Sequence, residues 1–144
     1  SWREGMALPG ANQMGHLRRV IESRPFLTRI PDQSLIREGQ KFGAAHVRVS
    51  RDGAKGRSDA TYIMAYFPRW VEVVLDAGRI GSTQVRGWWF NPRTGEADAI
   101  GTMANPGHWR VAPPTNYSQQ DWLLVLDDAA RDYPPPGGRS LSAG

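Results

Sequence analysis

Apolar residues in this 144-residue chain recur at two periods, and the change from one to the other divides it. Near the N-terminus the period is helical. Met14, Leu17, Val20 and Ile21 form one stripe, with Arg18, Arg19 and Glu22 on the polar side. Pro9-Gly10-Ala11-Asn12 predicts the helix start, and Ser23-Arg24-Pro25 its end, because proline disfavours helix at the residue before it. Residues 25–42 form a connector with two prolines and short apolar anchors at Phe26, Leu27, Ile30, Leu35 and Ile36. Beyond it the period becomes two. Ala45, Val47 and Val49 alternate with His46, Arg48 and Ser50, as in a half-buried strand. Residues 61–67 (TYIMAYF) are apolar on both sides, and residues 70–75 turn Val71, Val73 and Leu75 inward. Further strands are expected at 84–90, 96–100, 107–112 and 121–126, with Trp109, Val111 and the DWLLVL string facing a core. Polar loops (51–59, 76–82, 113–120) separate them. About seven to eight short strands, spaced roughly 10–15 residues apart, predict a mainly β chain: an antiparallel β-sandwich with one N-terminal helix.

Residues 83–97, TQVRGWWFNPRTGEA, are the centre of this pattern. Val85, Gly87 and Trp89 fall on one face of a strand, and Arg86, Trp88 and Phe90 on the other. Large aromatics on both faces place that strand between two layers. Asn91-Pro92-Arg93-Thr94-Gly95 supplies the hairpin turn, with Gly95 free to take a positive φ.

Glycine (16) and proline (11) make up about a fifth of the chain, which supports many turns over long helices. No apolar run approaches the ~18 residues of a membrane span. The N-terminus SWREGMALPG has no apolar core of a signal peptide, and its start at Ser1 fits a processed or excised chain. Cysteine is absent, so disulfides and cysteine-based zinc or redox chemistry are excluded. The net charge of +4 comes from sixteen Arg and two Lys (Lys41, Lys55) against fourteen acids. These arginines are scattered, unlike the clustered footprint of a nucleic-acid binder.

Candidate chemistry is sparse. The acids, Asp32, Asp52, Asp59, Glu72, Asp76, Glu96, Asp98, Asp121, Asp127 and Asp128, fall in loops or at strand ends. No spacing pairs them as a glycosidase requires, so they read as hydrated loop tips. His16, His46 and His108 are far apart, and the Asp52/Asp59 loop lacks the acidic density of a calcium site. No serine lies in a nucleophile elbow. No catalytic residue, metal ligand or cofactor is therefore assigned. The six tryptophans carry more weight. Trp89, Trp109 and Trp122 are in register with inward valines and leucines and read as core. Trp88 is either buried beneath the helix or exposed, and Trp70 reads as a rim aromatic.

The strings RIPDQSLI, AAHVRVSRDG, YIMAYFP, VRGWWFNPRTGEA and DWLLVLDDA, in that order, resemble the family named for the collagen-binding domain of a collagenase, over about residues 31–129. The N-terminal WREGMALPGANQMGHLRRVIESRPF resembles the closing helical segment of the (β/α)8 catalytic domain that precedes this module in bacterial proteins similar to apiosidase-type glycoside hydrolases. The resemblance implies a helical segment with connector over 1–30, a β-sandwich module over 31–129 and a flexible tail over 130–144. It implies a non-catalytic accessory module whose partner is that barrel, in an extracellular or periplasmic protein. In a longer protein the helical stripe would pack on the barrel. In this chain it is expected to dock on the sandwich, the alternatives being a second copy or fraying. Two functional readings remain. In one, the module buttresses the barrel and has no ligand. In the other, it binds polysaccharide or collagen through Trp70, Trp88, Tyr62 and Tyr66, exposed on one face beside Arg48, Arg69 and Arg86. No nucleic-acid or membrane partner is expected.

Overall fold

The computed structural model describes residues 11–116 and 120–138. The expected helix start at Pro9-Gly10, the side chain of Met14 and the last residues of the chain lie outside the described residues. Among the described residues, helix α1 (Ala11–Glu22) is followed by nine strands: β1 (Ile30–Pro31), β2 (Ile36–Glu38), β3 (Arg48–Arg51), β4 (Tyr62–Phe67), β5 (Val73–Asp76), β6 (Gln84–Asn91), β7 (Glu96–Ala104), β8 (His108–Val111) and β9 (Trp122–Asp128). They form a six-stranded sheet in the order β1-β3-β4-β9-β6-β7 and a three-stranded sheet in the order β2-β5-β8. All ladder pairings are antiparallel. The mainly β class with one helix is as expected.

Several boundaries differ from the sequence reading. β1 and β2 arise inside the connector and, at two and three residues, are too short to show any period. Ala45 lies in a 3-10 turn (Gly43–Ala45), and the strand after it begins only at Arg48. β5 begins at Val73, which leaves Trp70 in the β4–β5 connection. β7 runs past Ile100 to Ala104.

Alternation along the central strands sorts their side chains into two layers. Ile63, Ala65 and Phe67 of β4, Val85 and Trp89 of β6, and Trp122, Leu124 and Leu126 of β9 meet Val73, Leu75 and Val111 of the smaller sheet. Trp89 is the hub of this core. Its ring meets Phe67 edge-on at 5.5 Å and Trp122 at 6.4 Å between centroids. The intervening residues, Tyr62, Met64, Tyr66, Trp88, Phe90, Leu123 and Val125, emerge on the other face. Each large apolar side chain gains about 1.5–3 kcal/mol on burial, so this second face needs a cover.

Helix α1 and the C-terminal segment provide it. Leu17 and Val20 are fully buried, so the helical stripe docks on the sandwich. Residues 129–138 do not hang free, as a tail would. They turn through two 3-10 segments (Ala129–Arg131 and Pro136–Gly138), bury Pro136 and bring Tyr133 against Tyr62. A methyl group on Gly137 would sit 3.2 Å from the Phe90 ring and 3.8 Å from Val20, so the segment passes close over both. The result is three layers: small sheet, large sheet, and helix with C-terminal segment.

The β6–β7 turn touches this third layer. Gly95 has φ +79° and its N–H reaches the Asn91 carbonyl at 2.8 Å. A methyl group there would sit 2.6 Å from His16 Nδ1 on α1. Gly95→Ala is expected to cost at least about 1–2 kcal/mol, from the left-handed backbone and the displaced ring. Urea denaturation checks this, and a variant within about 0.3 kcal/mol of the parent contradicts it.

Candidate functional site

The structure separates the seven residues that the sequence groups as a ligand platform. Tyr62, Tyr66 and Trp88 are only 0%, 4% and 7% exposed, so the expected open row of rings on one face is corrected. They occupy the outer face of the large sheet, and α1 and the C-terminal segment lie over that face. Arg86 shares the face but is spent on Asp132, at 3.0 Å, and on Thr102 Oγ1. Arg48 is exposed and, with Tyr66, borders a cleft of about 640 Å³ between α1 and the sheet. Arg69 and Trp70 lie in the β4–β5 connection, outside that cleft, with Trp70 40% exposed.

What the outer face assembles instead is a clamp around the chain leaving α1. Arg24 follows the helix, is buried, and donates through Nε (3.1 Å) and Nη2 (2.6 Å) to the two carboxylate oxygens of Asp127 on β9. The pair is bidentate and desolvated, the strong form of such contacts. Burial raises the pKa of Asp127, opposed first by the Arg24 hydrogen bond and charge, and then by Trp88 and Arg86. Trp88 Nε1 is buried and acts on Asp127 through proximity alone, because its geometry does not make a hydrogen bond. The Arg24 guanidinium also stands 5.3 Å from the Tyr133 ring centroid, and the Tyr133 hydroxyl meets Thr61 Oγ1 at 2.7 Å. Five residues along, Arg29 donates to the Tyr62 hydroxyl (2.7 Å) and to the Ile21 carbonyl (2.6 Å), while its guanidinium covers the Tyr62 ring. Tyr62 in turn donates to the Pro25 carbonyl at 2.7 Å. Its phenol, like that of Tyr66, titrates above the ordinary value because it is buried.

Sequence reasoning missed this clamp. Arg24 read only as part of a helix stop, and Asp127 as a hydrated strand end. The usable signal was phase: Asp127 continues the Leu123/Val125 face of a strand apolar on both sides, so its carboxylate had to be buried and paired.

The loop at 51–59 is likewise closed by a buried arginine. Arg51 is 0% exposed and reaches Asp59 (2.7 Å), Asp32 (3.5 Å) and the carbonyls of Asp52 and Arg57 (both 2.8 Å). Asp52 accepts from the Thr61 and Tyr62 N–H groups and from the Thr61 hydroxyl. Asp59 accepts from the Ala54 N–H. These carboxylates are engaged in holding the loop. Among the described residues, no group of three or more His, Cys, Asp or Glu side chains is placed to hold a metal ion. No described helix is long and apolar enough to cross a membrane.

Two solved structures similar to this chain are glycoside hydrolases. One, a family 5 glycoside hydrolase from Bacteroides vulgatus, is 25% identical with a TM-score of 0.76, over 87% of this chain and 26% of its own. Another glycoside hydrolase is 26% identical with a TM-score of 0.77, over 92% of this chain and 28% of its own. This chain therefore spans about a quarter of the length of those proteins. No curated protein matches it. Residues 30–127 match the family described as "putative collagen-binding domain of a collagenase". With two-thirds of its length matched, from β1 to the buried Asp127, the chain belongs to that collagen-binding-domain family.

Proposed function

We propose that this chain is a non-catalytic accessory module that buttresses the catalytic domain of a glycoside hydrolase. One observation carries the reading. The similarity to glycoside hydrolases covers up to 92% of this chain, and so takes in part of α1 as well as the sandwich, yet only about a quarter of their length. This supports reading helix and sandwich as one unit of a larger protein, and the Arg24–Asp127 pair supplies a physical reason for them to stay together. A rigid unit of this kind supports a neighbour, where a floppy tether would only carry it. Deleting residues 11–144, helix and sandwich together, from the full-length gene product is expected to lower the melting temperature of the remaining catalytic part. Turnover of a soluble glycoside per folded molecule should stay within about twofold, because none of the reacting groups lies here. Turnover by the 144-residue chain alone would refute the reading.

The family description supports a second reading, polymer binding, and Trp70 with Arg69 is the exposed aromatic–cation pair left to carry it. Retention on fibrillar collagen or insoluble polysaccharide, lost in Trp70→Ala, would establish it. Trp88→Ala would not be an informative control, because that ring is buried.

A further inference from the structure

We infer that the cleft between α1 and the large sheet, together with the adjoining Phe26–Leu27 turn, is the surface on which the preceding catalytic domain sits; this rests on the accessory-module reading above. The cleft is lined by Leu17 and Ile21 from the helix, Met64, Tyr66 and Leu123 from the sheet, and Phe26 at the turn. Leu27 is 91% exposed and Phe26 47%. Two adjacent apolar residues in water are unremarkable on a mobile loop, which can fold them away. Here they cannot be folded away. The turn is closed by the Arg29 N–H on the Phe26 carbonyl, and fixed on either side by Tyr62 on Pro25 and by Arg29 on Ile21. A rigid turn that holds leucine in solvent, next to an apolar cleft, has the form of an interface with its partner removed.

Three observations select the occupant. The wall of the cleft is α1, through which the chain enters the module, so a domain preceding it lies within reach. About three-quarters of each similar glycoside hydrolase falls outside the match, which is length enough for such a domain. The lining is mostly apolar, and of its two rings Tyr66 is 4% exposed and only Phe26, at the turn, is open, so no row of exposed rings is available for a sugar chain. Arg48 at the rim has no ion pair among the described residues, and it suits a carboxylate on the partner.

The test compares the full-length gene product with the 144-residue chain by amide hydrogen exchange and calorimetry. Exchange of the Leu27 and Thr28 amides is expected to be at least about tenfold slower in the full-length protein. Leu27→Asp should split a single full-length unfolding transition into two, and Arg48→Glu should act in the same direction. Leu27→Asp should leave the melting temperature of the 144-residue chain unchanged, which separates lost docking from misfolding. Equal exchange in both proteins, or an unsplit transition in Leu27→Asp, would overturn the assignment. So would protection that depends on chain concentration, the mark of a second copy, or protection that appears only with added oligosaccharide or collagen peptide. A full-length product without glycoside turnover removes the accessory reading itself; turnover with an unprotected cleft removes only the docking surface.

Discussion

Arg24→Ala should cost the folded chain about 3–5 kcal/mol near neutral pH, a large share of the ~5–15 kcal/mol typical of a domain. The guanidinium is 0% exposed and the Asp127 carboxylate 2%, so removing one partner strands a charge where water cannot reach it. The pH dependence has a definite sign. With Arg24 present, burial already holds the pKa of Asp127 above its ordinary 3.8. Between 3.8 and that raised value the folded state binds more protons than the unfolded state, so stability falls as pH rises through the window. Arg24 is the largest influence opposing the shift. Without it the folded-state pKa climbs further and the window extends upward. The deficit of the variant should therefore be greatest at about pH 7.5 and smaller at about pH 4.5, where Asp127 can be buried neutral. Urea midpoints of both proteins at the two pH values decide this. A deficit that grows on acidification, or one below about 1 kcal/mol at neutral pH, would sink the argument. Loss of this pair should also free α1, visible as faster amide exchange in the helix than in β9.

Trp89→Ala should be of similar size, about 3–5 kcal/mol, for a different reason. Trp89 is 8% exposed and lies between Phe67 and Trp122, both in edge contact with it. Truncation removes the burial of an indole and leaves a cavity between two sheets that cannot close on each other. Trp70→Ala, on an exposed ring in the β4–β5 connection, should stay within about 0.5 kcal/mol of the parent. Chemical denaturation of the pair measures the contrast. Equal effects would mean that Trp89 is not the hub of the core.

These two tryptophans also mark how far the sequence could be read. Trp89 was legible because Gly87 and Val85, two and four positions away, share its face, and strand geometry preserves that phase in the β6–β9 register. The β6–β7 turn was legible too. Asn91 Oδ1 accepts the Arg93 N–H, and Gly95 takes its positive φ, both from contacts within five residues. The strings at 61–67 and 121–126 were legible as strands, and their apolar residues on both sides could have argued for cover on each face. The third layer could have been inferred from them. Its components could not: Tyr133 and Pro136 follow no period, and β1 and β2 are shorter than one repeat of any pattern.

The candidate site was less accessible. Tyr62, Tyr66 and Trp88 were grouped with Arg48, Arg69 and Arg86 because residue type alone does not distinguish an exposed ring from a covered one. The structure gives Tyr62 to Arg29 and Pro25, and Tyr66 to Asp121 at 2.8 Å. It leaves Trp70 exposed and brings Arg48 and Tyr66 to one cleft.

By itself the sequence determined the mainly β class, the central hairpin, the inward register of Trp89 and the family, since each follows from local period, turn chemistry or a contiguous string. Only the tertiary structure decided that Trp88 is covered, that the C-terminal segment closes the third layer, and that Arg24 and Asp127 form one buried pair. The reason is physical. Burial of these groups depends on partners far away in the chain, 103 residues for that ion pair, and no local pattern of polar and apolar positions encodes which distant element will arrive.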